Sequence, residues 1–395
     1  MADRMKRLVR MLAPLLSSFA TTLVVATMTG AAEPFQVLSE GTFRSSDYEY
    51  EYKSSTLRQQ DLWVVVGLRV RGQLSGSQQY QIWKLDSKGK KLAEVDLNAL
   101  TPTGRPQDKY LRSYDIGTLK NGNIALLAET KASQVGCLVF DGSSAKPIVN
   151  RLIEPALFSP FISKVFPASD GDLMAIGRSG DRGLMLKLHP SGEIAERASI
   201  GNGDPTVLTD GWELADHTLA LLGEHLDEAG QTTMWIGRTT LNGEVLYKDT
   251  FSGHDGTITY DSSSRLLTLI YASAGTSGWN MSLRTFMDSL SPAGQYSLLS
   301  GIRINTRFRV ASIGNGSIFA VGASARNRLW MARINQRGEV LSSFTFEEPG
   351  VRWQRLWNYD LLSTPTELVI PFSELLVGDD LEQRQVLKIL RLRRA

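Results

Sequence analysis

A polar turn followed by a short apolar run recurs seven times along this chain. At residues 169–178 the phrase reads SDGDLMAIGR, in which Asp170-Gly171-Asp172 forms the turn. The apolar runs begin at Leu62, Ile124, Leu173, Leu219, Leu266, Ile318 and Leu368. Their spacings of 62, 49, 46, 47, 52 and 50 residues are typical of a propeller, a solenoid or another repeat array.

A second phrase follows six of these runs about twenty residues after each run begins. It consists of a strand, a short loop that usually contains glycine, and another strand, as in MWIGRTTLNGEVLYKDTF. Each unit is therefore expected to contain four antiparallel strands: an inner strand, the apolar second strand, and a hairpin. Runs such as LWVVVGL are apolar on both faces, which favours propeller blades packed between neighbours over a solenoid.

The two ends of the chain complete the last unit. Its third strand ends just before Ala395, which leaves no residues for a fourth strand, and residues 34–43 form a strand-like piece without a hairpin. We therefore predict an all-β, seven-bladed β-propeller whose N-terminal strand closes the last blade, which removes open sheet edges. Six or eight blades, or two packed smaller domains, are the alternatives. The predicted blades span residues 47–98, 109–153, 160–201, 205–252, 256–302, 307–347 and 352–393 plus 34–43.

The first 32 residues read as a secretory signal peptide, and residues 33–395 as one propeller domain. A basic start precedes the apolar run 11–28 and the small residues Gly30-Ala31-Ala32, which is the usual order of such a signal. An uncleaved membrane anchor is the alternative. Cleavage predicts a periplasmic or secreted protein with no stable membrane span. Without this segment the chain carries 39 basic and 40 acidic residues, which gives no general reason to expect nucleic acid or an anionic membrane as partner.

Turn phrases such as Lys187-Leu188-His189-Pro190-Ser191-Gly192-Glu193 resemble the repeat of bacterial propellers of the quinoprotein-like and related tandem-repeat groups. The resemblance covers most of the chain and implies the fold. It implies no quinone site, because the eight tryptophans occupy no fixed place in the repeat and Cys137 is the only cysteine. Cys137 lies in an apolar run and is expected to be a buried small hydrophobe. We expect no cofactor.

Basic residues on the inner strands form the most suggestive candidate site. Several lie beside aromatic residues, and they are Lys53, Arg112, Lys164, Arg309 and Arg355. A cationic ring at the mouth of the central channel would suit carboxylate, phosphate or sugar-acid ligands. The competing interpretation is that these side chains pair with Asp115, Asp170 and Asp360.

A second candidate is the charged, glycine-containing loop at residues 178–182. Its residues Arg178, Asp181 and Arg182 could contact a protein partner, or they could form an ordinary solvated loop. The four histidines do not have metal-ligand spacing, so no metal site is predicted. His254-Asp255 precedes an inner strand but is expected to be a turn.

These observations predict a non-enzymatic binding or scaffold propeller that holds a protein or a small anionic ligand at one face or at the channel mouth. A propeller-type hydrolase or lyase acting on a sugar or lactone is one alternative, since the fold hosts both classes. A neutralising partner of a secreted toxin is another. No catalytic residues are assigned.

Overall fold

The computed structural model describes residues 36–71, 78–105, 110–153, 160–200, 207–226, 232–275, 278–302, 308–324, 327–346, 353–377 and 383–394. The predicted signal peptide at residues 1–32 lies outside these ranges. In the described ranges, no helix is long and apolar enough to span a membrane.

Seven four-stranded antiparallel sheets account for nearly all of the strands, so the chain is a seven-bladed β-propeller as predicted. Blade 1 comprises β2 (Tyr48–Arg58), β3 (Asp61–Val70), β4 (Gln79–Leu85) and β5 (Lys91–Asp96). Blade 2 comprises β6 (Tyr110–Thr118), β7 (Ile124–Thr130), β8 (Val135–Phe140) and β9 (Pro147–Leu152). Blade 3 comprises β10 (Pro160–Pro167), β11 (Leu173–Ser179), β12 (Arg182–Leu188) and β13 (Ile194–Ile200).

Blades 4 to 6 follow the same order, and blade 7 combines the two ends of the chain. Blade 4 comprises β14 (Val207–Glu213), β15 (Leu219–Leu226), β16 (Thr232–Thr239) and β17 (Val245–Ser252), and blade 5 comprises β18 (His254–Asp261), β19 (Leu266–Gly275), β20 (Gly278–Met287) and β21 (Pro292–Ile302). Blade 6 comprises β22 (Arg309–Gly314), β23 (Ser317–Ala323), β24 (Leu329–Ile334) and β25 (Val340–Thr345). Blade 7 comprises β26 (Trp353–Tyr359), β28 (Glu367–Val377), β29 (Gln383–Arg393) and β1 (Val37–Phe43). The short β27 (Leu362–Ser363) pairs with β28, and one 3₁₀ turn spans Leu97–Ala99.

The predicted closure is confirmed: β1 pairs antiparallel with β29, from Val37 opposite Leu392 to Phe43 opposite Leu387. Phe43 also packs on Trp83 of blade 1, with ring centroids 5.3 Å apart. The closing strand therefore joins the last blade to the first through side chains as well as through its ladder.

The core is divided into seven thin layers, one between each pair of neighbouring blades. The second and third strands supply most of each layer because they are buried on both faces, as β7 and β8 show. Cys137 lies in the layer between blades 2 and 3, where burial raises the pKa of its thiol to about 12. It is the buried small hydrophobe that the sequence predicts.

The polar turns are held by cations on the third strands. Lys187 Nζ lies 2.5 Å from Asp170 Oδ2 and 3.7 Å from Asp172 Oδ2, so the carboxylates of the SDGD phrase serve the turn. Pairs of the same kind occur in three other blades, namely Lys84 with Asp61, Arg238 with Asp216 and Arg391 with Glu367. Gly171, with φ +101°, supplies the left-handed backbone that the turn requires.

Each outer strand begins with a β-bulge. The residue left out of the ladder is aliphatic and exposed in every blade: Leu38, Leu92, Ile148, Ala195, Leu246, Ala293 and Leu341. Bulges of this kind blunt an edge strand against pairing with other chains.

Candidate functional site

The central channel has two ends, which we name from the inner strands. The entry end is where the inner strands begin, and it also carries the turns between second and third strands, as the pairing of Pro160 with Ser179 shows. The turn end carries the polar turns and the hairpins between third and fourth strands. Each inner strand thus runs from the entry end to the turn end.

A belt of polar residues crosses the inner strands between the two ends of the channel; two of its members lie at strand ends, since Arg309 begins β22 and Asp360 follows β26. One residue from each blade belongs to this belt, and the set is Ser54, Asp115, Lys164, Asp210, Thr257, Arg309 and Asp360. Six of them lie opposite the fourth residue of the apolar run in their second strand, and Thr257 lies opposite the fifth. In blades 1 to 5 a β-bulge immediately precedes the belt residue. The bulge needs room beside the second strand, and in blade 3 Gly177 provides it, because an added Cβ would lie 1.9 Å from the Phe161 carbonyl oxygen.

Belt side chains connect neighbouring blades on the side of blades 2 to 5. Asp115 Oδ2 accepts a hydrogen bond from the Val165 amide at 2.7 Å, and Lys164 forms an ion pair with Asp210. The other oxygen of Asp210 accepts from Thr257 Oγ1 at 2.7 Å and from the Ile258 amide at 2.9 Å. A single buried carboxylate therefore joins three blades.

Polar contacts at or near the belt height bridge the remaining interfaces. Arg309 Nε lies 3.2 Å from Asp360 Oδ1, and Tyr52 Oη donates to Asp360 Oδ2 at 3.0 Å. These contacts join blade 6 to blade 7 and blade 7 to blade 1. The circuit is completed by the Ser312 amide donating to Thr259 Oγ1 at 3.1 Å and by the Thr56 and Thr118 hydroxyls 2.9 Å apart.

Burial shifts the pKa values of groups in and beside the belt. Desolvation raises the pKa of Asp115 to about 7, aided by the negative charge of Asp360, while its hydrogen bond from the Val165 amide acts in the opposite direction. Burial and Asp360 also raise the pKa of Tyr52 well above its usual range, so its hydroxyl stays a donor. Desolvation lowers the pKa of Arg309, but nearby anions, Asp360 first, raise it overall.

The five predicted channel cations lie in different surroundings. Lys164 and Arg309 belong to the belt and face carboxylates, and the side chain of Arg112 lies outside the described part of the chain. Lys53 Nζ lies 2.7 Å from Glu51 and 5.6 Å from the ring centre of Tyr80. Of the three acids that the sequence suggests as partners, Asp360 pairs with Arg309, Asp170 pairs with Lys187 at the turn end, and Asp115 accepts from the Val165 amide.

Two arginines at the entry end lie against exposed aromatic rings. The Arg355 guanidinium lies 5.0 Å from the ring centre of Trp357, which is 46% exposed. The Arg178 guanidinium lies 5.9 Å from the ring centre of Phe161, which is 39% exposed. Among the described residues neither guanidinium contacts a carboxylate. Asp181 lies in the turn between β11 and β12, and Arg182 begins β12; both are exposed.

His254 does not lie in a turn before an inner strand, as predicted, but begins β18, because it pairs with Ala272 ahead of a β-bulge in which Asp255 has φ +54°. His254 Nδ1 lies 2.8 Å from Asp255 Oδ2, and the Asp255 amide donates to Glu224 Oε1 at 2.9 Å. Within the described ranges, no three His, Cys, Asp or Glu side chains group as metal ligands.

Asp210 is a functional residue that the sequence reasoning missed. The only indication of it in the sequence was an acidic residue in the middle of the inner-strand sequence VLTDGWE.

Comparison with known proteins supports the fold. No protein-family model and no curated protein sequence matches the chain. Among solved structures, the polysaccharide lyase Uly1 superposes with a TM-score of 0.56 at 8% identity, over 91% of this chain and 100% of that one. The WD40 domain of Toxoplasma gondii coronin gives 0.51 at 10% identity, over 90% and 87%. The propeller domain of the Pyrococcus furiosus Trilobed protease gives 0.50 at 8% identity, over 86% and 96%. These proteins differ in function, so the likeness defines a class, the β-propellers.

Proposed function

We propose that this protein is an exported, non-enzymatic binding propeller that holds a protein or a small anionic ligand at its entry end. The observation that carries the proposal is the contrast between two kinds of cation. Lys164 and Arg309 in the belt face carboxylates, whereas Arg178 and Arg355 are exposed and contact aromatic rings.

A guanidinium that lies on an aromatic ring is well prepared to bind an anion. The ring restricts the plane of the guanidinium, and its N–H groups remain available at the edge for a bidentate contact with a carboxylate or phosphate. The exposed faces of Trp357 and Phe161 add apolar contact area beside the charge. Arg355 and Arg178 belong to blades 7 and 3, so one ligand that engaged both would lie across the channel mouth.

The belt has a supporting role in this proposal. Because the belt and the polar contacts near it join every pair of adjacent inner strands, they fix the blades that carry the two arginines, and a rigid site loses less entropy on binding. Export through the predicted signal at residues 1–32 is part of the same proposal. From the similarity of the turn phrases to those of quinoprotein-like propellers, we propose only that the repeats are related.

Partner capture with matched variants tests the proposal. The immobilised wild type would be compared with the Arg178→Gln/Arg355→Gln variant on an envelope extract. A control variant, Lys88→Gln/Lys90→Gln, loses the same charge at the turn end. Each charge-assisted contact contributes about 1.5–3 kcal/mol, so we expect the entry-end variant to bind its partner at least ~100-fold more weakly and the control to bind normally. Equal binding by both variants would refute the proposal.

A small ligand would be detected with the same variants. Thermal melting in the presence of citrate, glucuronate or phosphate should show stabilisation of the wild type and the control by whichever anion fits. The entry-end variant should show none. Stabilisation that persists in the entry-end variant would place the anion elsewhere.

A further inference from the structure

Basic and acidic side chains at the turn end are distributed unevenly among the blades. Exposed basic side chains lie on blades 7, 1 and 2, where the loops and the last strand carry Lys88, Lys90, Lys120, Lys146 and Arg393. The same end of blades 3, 4 and 5 carries the acidic side chains Asp170, Glu193, Asp216, Glu244 and Asp288. Within the described part of the chain, all of these except Glu244 form ion pairs with neighbouring cations.

The cations of blades 1 and 2 are available to a partner. No ion pair is recorded among the described residues for Lys88, Lys90 or Lys146. The carboxylates beside them are engaged locally: Asp86 accepts from the Lys88 and Lys90 amides, and Asp141 accepts from the amides and hydroxyls of its own turn.

Exposed aliphatic side chains lie among these cations. Val37 and Leu38 at the start of β1, Leu92 of β5 and Ile148 of β9 are 52%, 38%, 50% and 54% exposed. The hairpins of neighbouring blades meet at this end. An added Cβ on Gly41 of β1 would lie 3.9 Å from Cα of Gly89 in blade 1, and Lys84 Nζ of blade 1 donates to the Ser143 carbonyl of blade 2 at 2.8 Å. We call Val37, Leu38, Lys88, Lys90, Leu92, Lys146, Ile148 and Arg393 the basic sector.

The chain enters the propeller at the same sector. The Arg393 amide donates to the Gln36 carbonyl at 2.9 Å, which fixes the start of β1 at the turn end.

We propose that the basic sector docks the propeller on an anionic lipid surface. Lysines attract the negative leaflet, and exposed Leu, Ile and Val insert at the headgroup boundary. A nucleic acid would be attracted by the lysines alone, so serine variants of Leu92 and Ile148 distinguish it from a lipid surface. The proposal is independent of the entry-end ligand, and its variants change different residues.

Vesicle cosedimentation of the full-length protein tests this. Vesicles of phosphatidylglycerol and phosphatidylethanolamine would be compared with neutral phosphatidylcholine vesicles. The variant Lys88→Gln/Lys90→Gln/Lys146→Gln removes three sector charges, and Arg178→Gln/Arg182→Gln/Arg355→Gln removes three at the entry end. Each lysine near an anionic surface contributes about fivefold, so we expect the sector variant to bind anionic vesicles about 100-fold more weakly and the entry-end control to bind like wild type.

The aliphatic contribution has its own matched control. Leu92→Ser/Ile148→Ser should weaken binding to anionic vesicles at least ~10-fold. Leu246→Ser, at the equivalent bulge of the acidic blade 4 and also 50% exposed, should have no effect. Circular dichroism melting would verify that every variant is folded.

Three results would overturn the proposal. One is equal binding to anionic and neutral vesicles, and another is equal loss of binding in the sector and entry-end variants. The third is a change of oligomeric state in the sector variant without vesicles, seen by sedimentation equilibrium, which would assign the sector to a second copy of the chain.

Discussion

The polar belt and the entry end contain the same kinds of cation in opposite circumstances. In the belt, Lys164 and Arg309 each face a carboxylate of the next blade, and their removal would leave a partly buried anion unpaired. At the entry end, Arg178 and Arg355 rest on exposed rings. A basic residue at belt height on an inner strand therefore joins blades, whereas one nearer the entry end, whether on an inner strand like Arg355 or on a second strand like Arg178, is available for recognition.

Replacing Asp210 should have the largest effect on the free energy of unfolding, because its carboxylate contacts more groups than any other belt side chain. In Asp210→Ala, Lys164 loses its anion, and the Thr257 hydroxyl and Ile258 amide lose their acceptor. Breaking a buried pair from one side costs about 3–5 kcal/mol. Urea denaturation should show a loss of free energy of unfolding in that range, whereas Asp181→Ala at the entry end should change it by less than about 0.5 kcal/mol. A loss below about 1 kcal/mol for Asp210→Ala would remove the distinction between the two regions.

Asp115 should make stability depend on pH. Its folded-state pKa of about 7 exceeds the ordinary value of 3.8, so the folded protein retains a proton that the unfolded chain has released. Its contribution to the free energy of unfolding therefore falls as pH rises from about 4 to about 7, and is constant above that.

The Asp115→Asn variant tests this dependence, because the amide oxygen can still accept from Val165 while carrying no charge. Melting temperatures measured between pH 5 and pH 8 should fall less steeply for the variant than for wild type, and the variant should be the more stable at pH 8. Parallel curves would show that the Asp115 carboxylate has an ordinary pKa in the folded protein.

Arg355→Lys separates charge from geometry at the entry end. Lysine keeps the positive charge but lacks the planar fork that can lie on Trp357 and bind an anion through two N–H groups. We expect about tenfold weaker binding of the entry-end ligand, equal to about 1.4 kcal/mol, by titration calorimetry, with an unchanged melting temperature. Full affinity in the lysine variant would mean that Arg355 acts only as a point charge.

Arg182→Gln should show the smallest effect. Arg182 is exposed and has no ion pair among the described residues, so its removal should leave stability within about 0.5 kcal/mol. As a charge at the rim of the site it should mainly slow association, by about two- to threefold in stopped-flow measurements at low salt. An effect as large as that of Arg355→Lys would move the centre of the site to the loop at residues 178–182.

The blade plan could be predicted from the sequence because its signals are local. The polar turn, the apolar run and the hairpin recur in each unit, and β1 has the outer-strand beginning Val37-Leu38-Ser39 that recurs as Val340-Leu341-Ser342 in β25. The side-chain pairing could not be predicted, because a bulge precedes the belt residue in five inner strands and each bulge changes which face later residues occupy. Hence Lys164 meets Asp210, a partner 46 residues away that no local pattern indicates.

Hydrogen exchange of the protein with and without its captured partner tests most directly whether recognition lies at the entry end. Binding at the entry end predicts slower amide exchange at the start of β10, in the β11–β12 turn and along β26, with the other inner strands and the turn end unchanged. Protection confined to turn-end hairpins, such as residues 86–91 or 189–193, would contradict it.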